Sequence, residues 1–265
     1  MRQISRLLKM DLNVGRNTHV EGKFTSGHTT LIHLYTNVDS LKYQNIFLAD
    51  TEIEINASKI SDSTQALAMA YVSSAYQQIE MIQTKNLITE AIWNKDHIDF
   101  DFSLDQQTRD NYLRLNGTVD FTDSTHLSLD PSSKIQLLEK VWTINSLNKV
   151  SVKGKEWNIV ENTWSSEGQS VSLVGHISVD PLKKVMLSIK DFNLTTINSI
   201  SQRQLNGIIN AEVSMTNLYD QYSIQNKIDI KDLKVDEFLV GHVIGNNVWD
   251  TKGKKFNIEF LIDRL

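Results

Sequence analysis

The side chains in this sequence best suited to metal binding or proton transfer are its histidines, at positions 19, 28, 33, 97, 126, 176 and 242. None is paired at the i, i+4 spacing that places two imidazoles on one helical face, and none lies in an H-E-x-x-H segment. With no cysteine in the chain, no zinc set arises. The histidines fall at polar strand positions or turns, where a surface role is expected. Asp99 and Asp101 would suit general acid and base work, but they alternate with Ile98, Phe100 and Phe102, which reads as the wet face of a strand. No nucleophile elbow, P-loop or dinucleotide-binding glycine motif occurs, and Thr251-Lys-Gly-Lys-Lys255 reads as a charged hairpin turn. Asn56-Ala-Ser, Asn116-Gly-Thr and Asn193-Leu-Thr match the glycosylation sequon, as expected by chance in a chain rich in Asn, Ser and Thr. The chain is therefore expected not to be an enzyme and to carry neither metal nor cofactor.

Composition narrows the partners. A formal net charge of −5 with both signs interspersed lacks the footprint of a nucleic-acid binder. The absence of cysteine excludes disulfides and thiol nucleophiles, and is compatible with a bacterial envelope compartment. Met1 to Met10 is too short and too charged for a secretory signal, and no apolar run of about 18 residues could serve as a membrane anchor.

The elements that would position any site are strands. In Val171-Ser-Leu-Val-Gly-His-Ile-Ser-Val179 the odd positions are apolar or glycine and Ser172, His176 and Ser178 are polar, the period of a half-buried strand. Its core, apolar-x-Gly-x-apolar, returns around Gly22, Gly117, Gly207 and Gly241. Each glycine falls on the apolar side, where a missing side chain lets the sheet curve inward. The only prolines, Pro131 and Pro181, follow aspartates at the ends of alternating runs and mark β-turns at strand exits. Strands are expected at His19–Thr25, Thr30–Tyr35 and Tyr43–Ala57, the last as two strands about Asp50-Thr51. In Thr64–Ile82 the residues Leu67, Tyr71, Ala75, Ile79 and Ile82 could form a helical stripe, yet Leu67 to Tyr71 also alternates, and strand-like neighbours favour a strand. Phe192 and Leu194 read as strand, and Asn198–Gln204 as a short helical or irregular connector. Lys153-Gly-Lys-Glu reads as a hairpin turn.

The residues expected to share one apolar face are Ile98, Phe100, Phe102, Leu104, Leu115, Val119, Phe121, Val171, Leu173, Ile177, Val185, Leu187, Ile189, Ile209, Val213, Ile228, Ile230, Phe256, Ile258 and Phe260. Short strands with turn chemistry between them and almost no helix predict an all-β chain. The glycines at 117, 175, 207 and 241 are 58, 32 and 34 residues apart, too irregular for a tightly coiled β-helix and suited to a few antiparallel strands per unit. No linker or low-complexity tract divides the chain, so residues 1–265 read as one continuous segment. Alternation alone is met equally by a closed sandwich and by an open trough.

The order of Phe100-Asp-Phe-Ser-Leu104, Leu115-Asn-Gly-Thr-Val-Asp-Phe121, Leu127-Ser-Leu-Asp-Pro131, Trp142-Thr-Ile144, Trp157-Asn-Ile159, Val171 to Pro181, Phe192-Asn-Leu194 and Leu205-Asn-Gly207 resembles that of TamB-like proteins of the translocation and assembly module, in the versions found in Bacteroidota. The likeness covers Trp93 to Leu265 best. It implies an AsmA-like, bridge-type protein: an elongated, curved, mostly antiparallel sheet forming a U-shaped trough with few or no helices. It implies that the face above holds phospholipid acyl chains in the periplasm, between inner and outer membranes, and supports outer-membrane protein assembly with a TamA-like barrel partner. The family's N-terminal membrane anchor and C-terminal domain are not in this sequence, which is expected to be a fragment of a longer protein that reaches the inner membrane through that missing anchor. The rival expectation is a non-catalytic envelope structural or adhesin-like β-repeat protein whose core is filled by its own side chains.

Overall fold

Alternating residues pair as antiparallel strands throughout, and the chain is all-β. The computed structural model describes residues 12–62, 65–80, 82–198, 201, 203–250 and 255–264. The chain divides into two compact units, Met1–Asp120 and Phe121–Leu265.

The first unit holds β1 (Leu12–Val14), β2 (Thr18–Thr25), β3 (Thr29–Tyr43), β4 (Ile46–Ile60), β5 (Ala66–Ile79), β6 (Ile82–Asn94), β7 (His97–Gln106) and β8 (Tyr112–Phe121). From β2 onward each strand pairs with the next. β1 pairs with the far end of β3, Leu12 opposite Tyr43, so it shares an edge with β2. The turns at 44–45 and 95–96 are tight, and Gln44 and Lys95 take the positive φ that two-residue hairpins demand.

One expectation changes here, and one that was open between helix and strand is decided. Tyr43–Ala57 is not two strands about Asp50-Thr51: the hairpin comes at 44–45 and β4 runs unbroken to Ile60. Asp50, with φ 47°, leaves the ladder without ending the strand, as aspartate tolerates the left-handed region. The gap it makes crosses four strands, passing through Asp39, Asp50, Ala75 and Asn86. Within Thr64–Ile82 the strand reading holds for β5, where Ala66–Ile79 is hydrogen-bonded on both sides. Two neighbouring ladders outweigh the helix preference of its alanines.

The second unit holds β9 (Thr125–Leu129), β10 (Lys134–Leu137), β11 (Lys140–Ile144), β12 (Lys149–Lys153), β13 (Glu156–Ser166), β14 (Gln169–Ile177), β15 (Lys184–Asn193), β16 (Leu205–Thr216), β17 (Ser223–Val235), β18 (Phe238–Asp250) and β19 (Lys255–Asp263). β9 pairs with β12, and β11 and β12 both pair with β13. From β13 to β19 each strand pairs with its successor. Both prolines sit in turns after strands: Ser133 N–H donates to Asp130 O at 2.9 Å and Lys183 N–H to Asp180 O at 3.2 Å. The Gly154–Lys155 hairpin is also as expected. The turn at 251–254 lies outside the described residues.

Leu194 is not strand. Asn193 Oδ1 accepts from Thr195 N–H at 3.0 Å and caps a 3-10 turn, Leu194–Ile197, which directly precedes the connector expected at Asn198–Gln204. Among the described residues no helix is long and apolar enough to cross a membrane.

Candidate functional site

Direct cross-strand partners share a face, so register decides which side chains meet. In the first unit Phe102 faces Leu115, Ile98 faces Val119 and Leu104 faces Leu113, while Phe100 lies opposite Gly117. One row continues from Phe100 through Ala91, Ala70, Ile55 and Leu34 to Gly22. The next runs from Ile98 through Trp93, Ala68, Ala57 and Ile32 to Phe24. The six candidates of this unit therefore share a face with residues of every strand from β2 to β8. Phe24 and Trp93 on that face are 69% and 44% exposed.

The opposite face of the same strands carries a row Glu21, Tyr35, Glu54, Tyr71, Glu90 and Asp101. Asp99 and Asp101 lie on this polar face. Asp99 accepts from His97 Nε2 at 3.1 Å, and Asp101 is bonded to Asn116. His97 Nδ1 meets Asp120 Oδ1 at 2.6 Å. Hydrogen bonds to Asp120 and then Asp99 raise the His97 pKa above 6.5. Among the described residues no group of three or more His, Asp or Glu is arranged to hold a metal ion.

In the second unit the predicted residues again fall into rows. Val171, Ile189, Ala211, Ile228, Gly245 and Phe260 form one; Leu173, Leu187, Val213, Asn226, Asn247 and Ile258 form the next; Gly175, Val185, Met215, Ile224, Trp249 and Phe256 form a third. Ile209 and Ile230 face each other, and Ile177 faces Trp157. Phe121, the last residue of β8, keeps the phase of Val119 and is exposed. Ile244 lies on the polar face opposite Asp229, and Val243, opposite Ile230, lies on the apolar one.

Burial on this face is graded. Val185 is 1% and Ala211 7% exposed, while Phe256, Ile258 and Phe260 on β19 are each more than half exposed. The sheet bends along a line of irregularities. Glu161, Asp191 and Asp232 take positive φ where the register of β13, β15 and β17 shifts. Gly175 pairs with Ile159 beside the first of these, with φ 116°, and a Cβ there would lie 3.1 Å from Val185 Cα. Glycine is thus required at Gly175 by dihedral and by close approach. The glycines were legible in the sequence; their acidic bulge partners were not.

One end of this face is covered by the chain itself. Trp142 packs on Phe192 with ring centroids 5.5 Å apart, and in the 3-10 turn that follows β15 Leu194 and Thr196 are buried. Trp142 Nε1 is buried without a hydrogen-bond partner among the described residues.

The face is thus built of apolar side chains placed side by side by the register of successive strands. No family model, no curated protein and no solved structure matches this chain.

Proposed function

We propose that this chain is a segment of a periplasmic lipid-conducting bridge protein, which carries phospholipid acyl chains along the apolar face between inner and outer membranes and supports outer-membrane protein assembly. The observation that carries the reading is the continuity of apolar side chains from strand to strand, row beside row, with large members such as Phe24, Trp93, Phe256 and Phe260 left uncovered. Contiguous apolar surface of that kind marks a binding site. The resemblance of the motif order to TamB-like proteins supports the same reading and supplies the compartment and the barrel partner.

The mechanism needs no reaction. Each buried methylene contributes about 0.8 kcal/mol, so two acyl chains bind without a specific contact, while head groups stay in water at the rim. Movement requires that no position hold a chain much more tightly than the next. A charge in the path stops it. Leu173→Asp should block phospholipid transfer between donor and acceptor vesicles, and Leu173→Ala should leave most of it, with both variants checked for native melting. A folded Leu173→Asp protein that transfers lipid normally would overturn the reading.

A second reading, a non-catalytic envelope structural or adhesin-like β-repeat protein, draws on the Trp142 corner, where the indole packs on Phe192 and the chain covers its own apolar side chains. On that reading neither variant affects lipid, because no lipid is carried.

A further inference from the structure

One side of β2 is an open edge of the first unit. Among the described residues β2 pairs with β3 alone, and every residue of β2 after Thr18 is exposed, Val20 at 55% and Phe24 at 69%. An unpaired edge is a template for another strand, and the side chains along it decide which strand fits.

The residues whose backbone faces that edge follow from the ladders. In an antiparallel pair, opposed residues alternate between exchanging both backbone hydrogen bonds and exchanging none, so successive residues of a strand bond to opposite neighbours. Ser61 N–H donates to His28 O at 2.9 Å, one step beyond the pair Thr29–Ile60, so the even-numbered residues of this part of β3 bond to β4. Lys95 N–H donates to Ala66 O at 3.0 Å, which gives the same phase when carried back through β5 and β4. The odd residues of β3 therefore bond to β2, His33 to Lys23 and Tyr35 to Glu21. That leaves the N–H and C=O groups of Val20, Gly22 and Phe24 directed at the open edge.

These three residues also belong to the apolar face, while His19, Glu21 and Lys23 lie on the polar one. A second β2 laid antiparallel along the edge keeps each face intact only if even residues meet even ones, and the outward backbone groups of both strands then bond to each other. Centring the pair on Gly22 sets Glu21 opposite Lys23 twice and Val20 opposite Phe24 twice, with the strands matched from His19 to Thr25. The adjacent alignments in phase fail. Sliding two residues one way puts Glu21 opposite Glu21, and sliding two the other way puts Lys23 opposite Lys23, and like charges directly opposite are destabilising.

We infer that a second copy of this chain pairs with the first through β2, forming a two-fold dimer in which the apolar face of the first unit runs on from one copy into the other. The edge fits itself, so the contact is closed and adds no third copy. This goes beyond the lipid reading and does not depend on it.

Sedimentation equilibrium of the whole chain at low salt, at concentrations up to about 1 mM, tests the pairing. The parent should pass from one copy to two with rising concentration and stop at two. Glu21→Lys and Lys23→Glu each make the opposed pairs like-charged, and each should raise the dissociation constant about tenfold. Mixed in equal amounts, the two variants meet each other with opposite charges only and should recover the parent's affinity. A parent that stays monomeric, a mass that climbs past two copies, a dimer indifferent to both reversals, or a mixture that fails to recover would each overturn the pairing, and would leave the lipid reading standing.

Discussion

The ring of Phe260 lies across Gly245 on the neighbouring strand, where a Cβ would come within 2.5 Å of Phe260 Cε1. Gly175 is obstructed differently, by the backbone of Lys184 and Val185, and at a φ of 116°. The two glycines should therefore respond unequally to alanine. Phe260 is half exposed on an edge strand and its ring can swing aside, so Gly245→Ala should cost no more than about 1 kcal/mol. Gly175→Ala meets backbone that cannot give way and should cost about 2 kcal/mol or more. Urea unfolding of the two variants checks the order, which would be reversed if the bend at Gly175 were incidental.

Trp142 supplies a second comparison. Its indole N–H is buried without an acceptor among the described residues, so Trp142→Phe removes an uncompensated donor along with some packing. The phenylalanine variant should lie within about 1 kcal/mol of the parent, whereas Trp142→Ala opens a cavity against Phe192 and should cost about 3–5 kcal/mol. Equal losses in thermal unfolding would mean that the indole nitrogen has a partner.

His97 predicts a pH dependence. Its hydrogen bonds to Asp120 and Asp99 raise the folded-state pKa above the ordinary imidazole value of 6.5, so folding favours the imidazolium. That stabilisation is complete below pH 6.5 and is lost as pH rises through the raised folded value. The difference in melting temperature between the parent and His97→Gln should thus be largest near pH 5.5 and shrink by pH 8.5, as read from a series of melting curves. A difference that grows with pH would contradict the arrangement of the two carboxylates around the ring.

Much of the apolar face is legible in the sequence because a strand's period is two and one residue's phase fixes its neighbours. Phe100, Phe102, Leu173, Leu187 and Ile258 fall where alternation puts them. Alternation carries no information about where a ladder slips, so the gap through Asp39, Asp50, Ala75 and Asn86 and the bulges at Glu161, Asp191 and Asp232 appear only when strands are paired. Asp50-Thr51 has the sequence of a turn because an aspartate that tolerates positive φ suits a turn and a ladder irregularity alike. Asn226 and Asn247 had a faint signal: each stands at an apolar phase, in Ile224-x-Asn-x-Ile228 and Val243-x-Gly-x-Asn-x-Trp249. A single polar residue in phase is uninformative, and that the two are opposite each other is a fact of register. The capping of the 3-10 turn by Asn193 was hidden for a similar reason, as the alternation of Phe192 and Leu194 continues into it.

The most direct measurement of whether this face carries lipid places a photoreactive amino acid at Leu173 or Ile177 and, in parallel, at Ser172 or His176. Leu173 faces Leu187 and Ile177 faces Trp157 on the apolar side, while Ser172 faces Ser188 on the other. Neighbouring side chains on a strand point to opposite faces, so the comparison holds everything constant but the side of the sheet. Irradiation with labelled phospholipid vesicles should yield lipid adducts at Leu173 and Ile177 and none above background at Ser172 and His176. Equal labelling of both faces, or no labelling of either in a folded protein, would contradict the account.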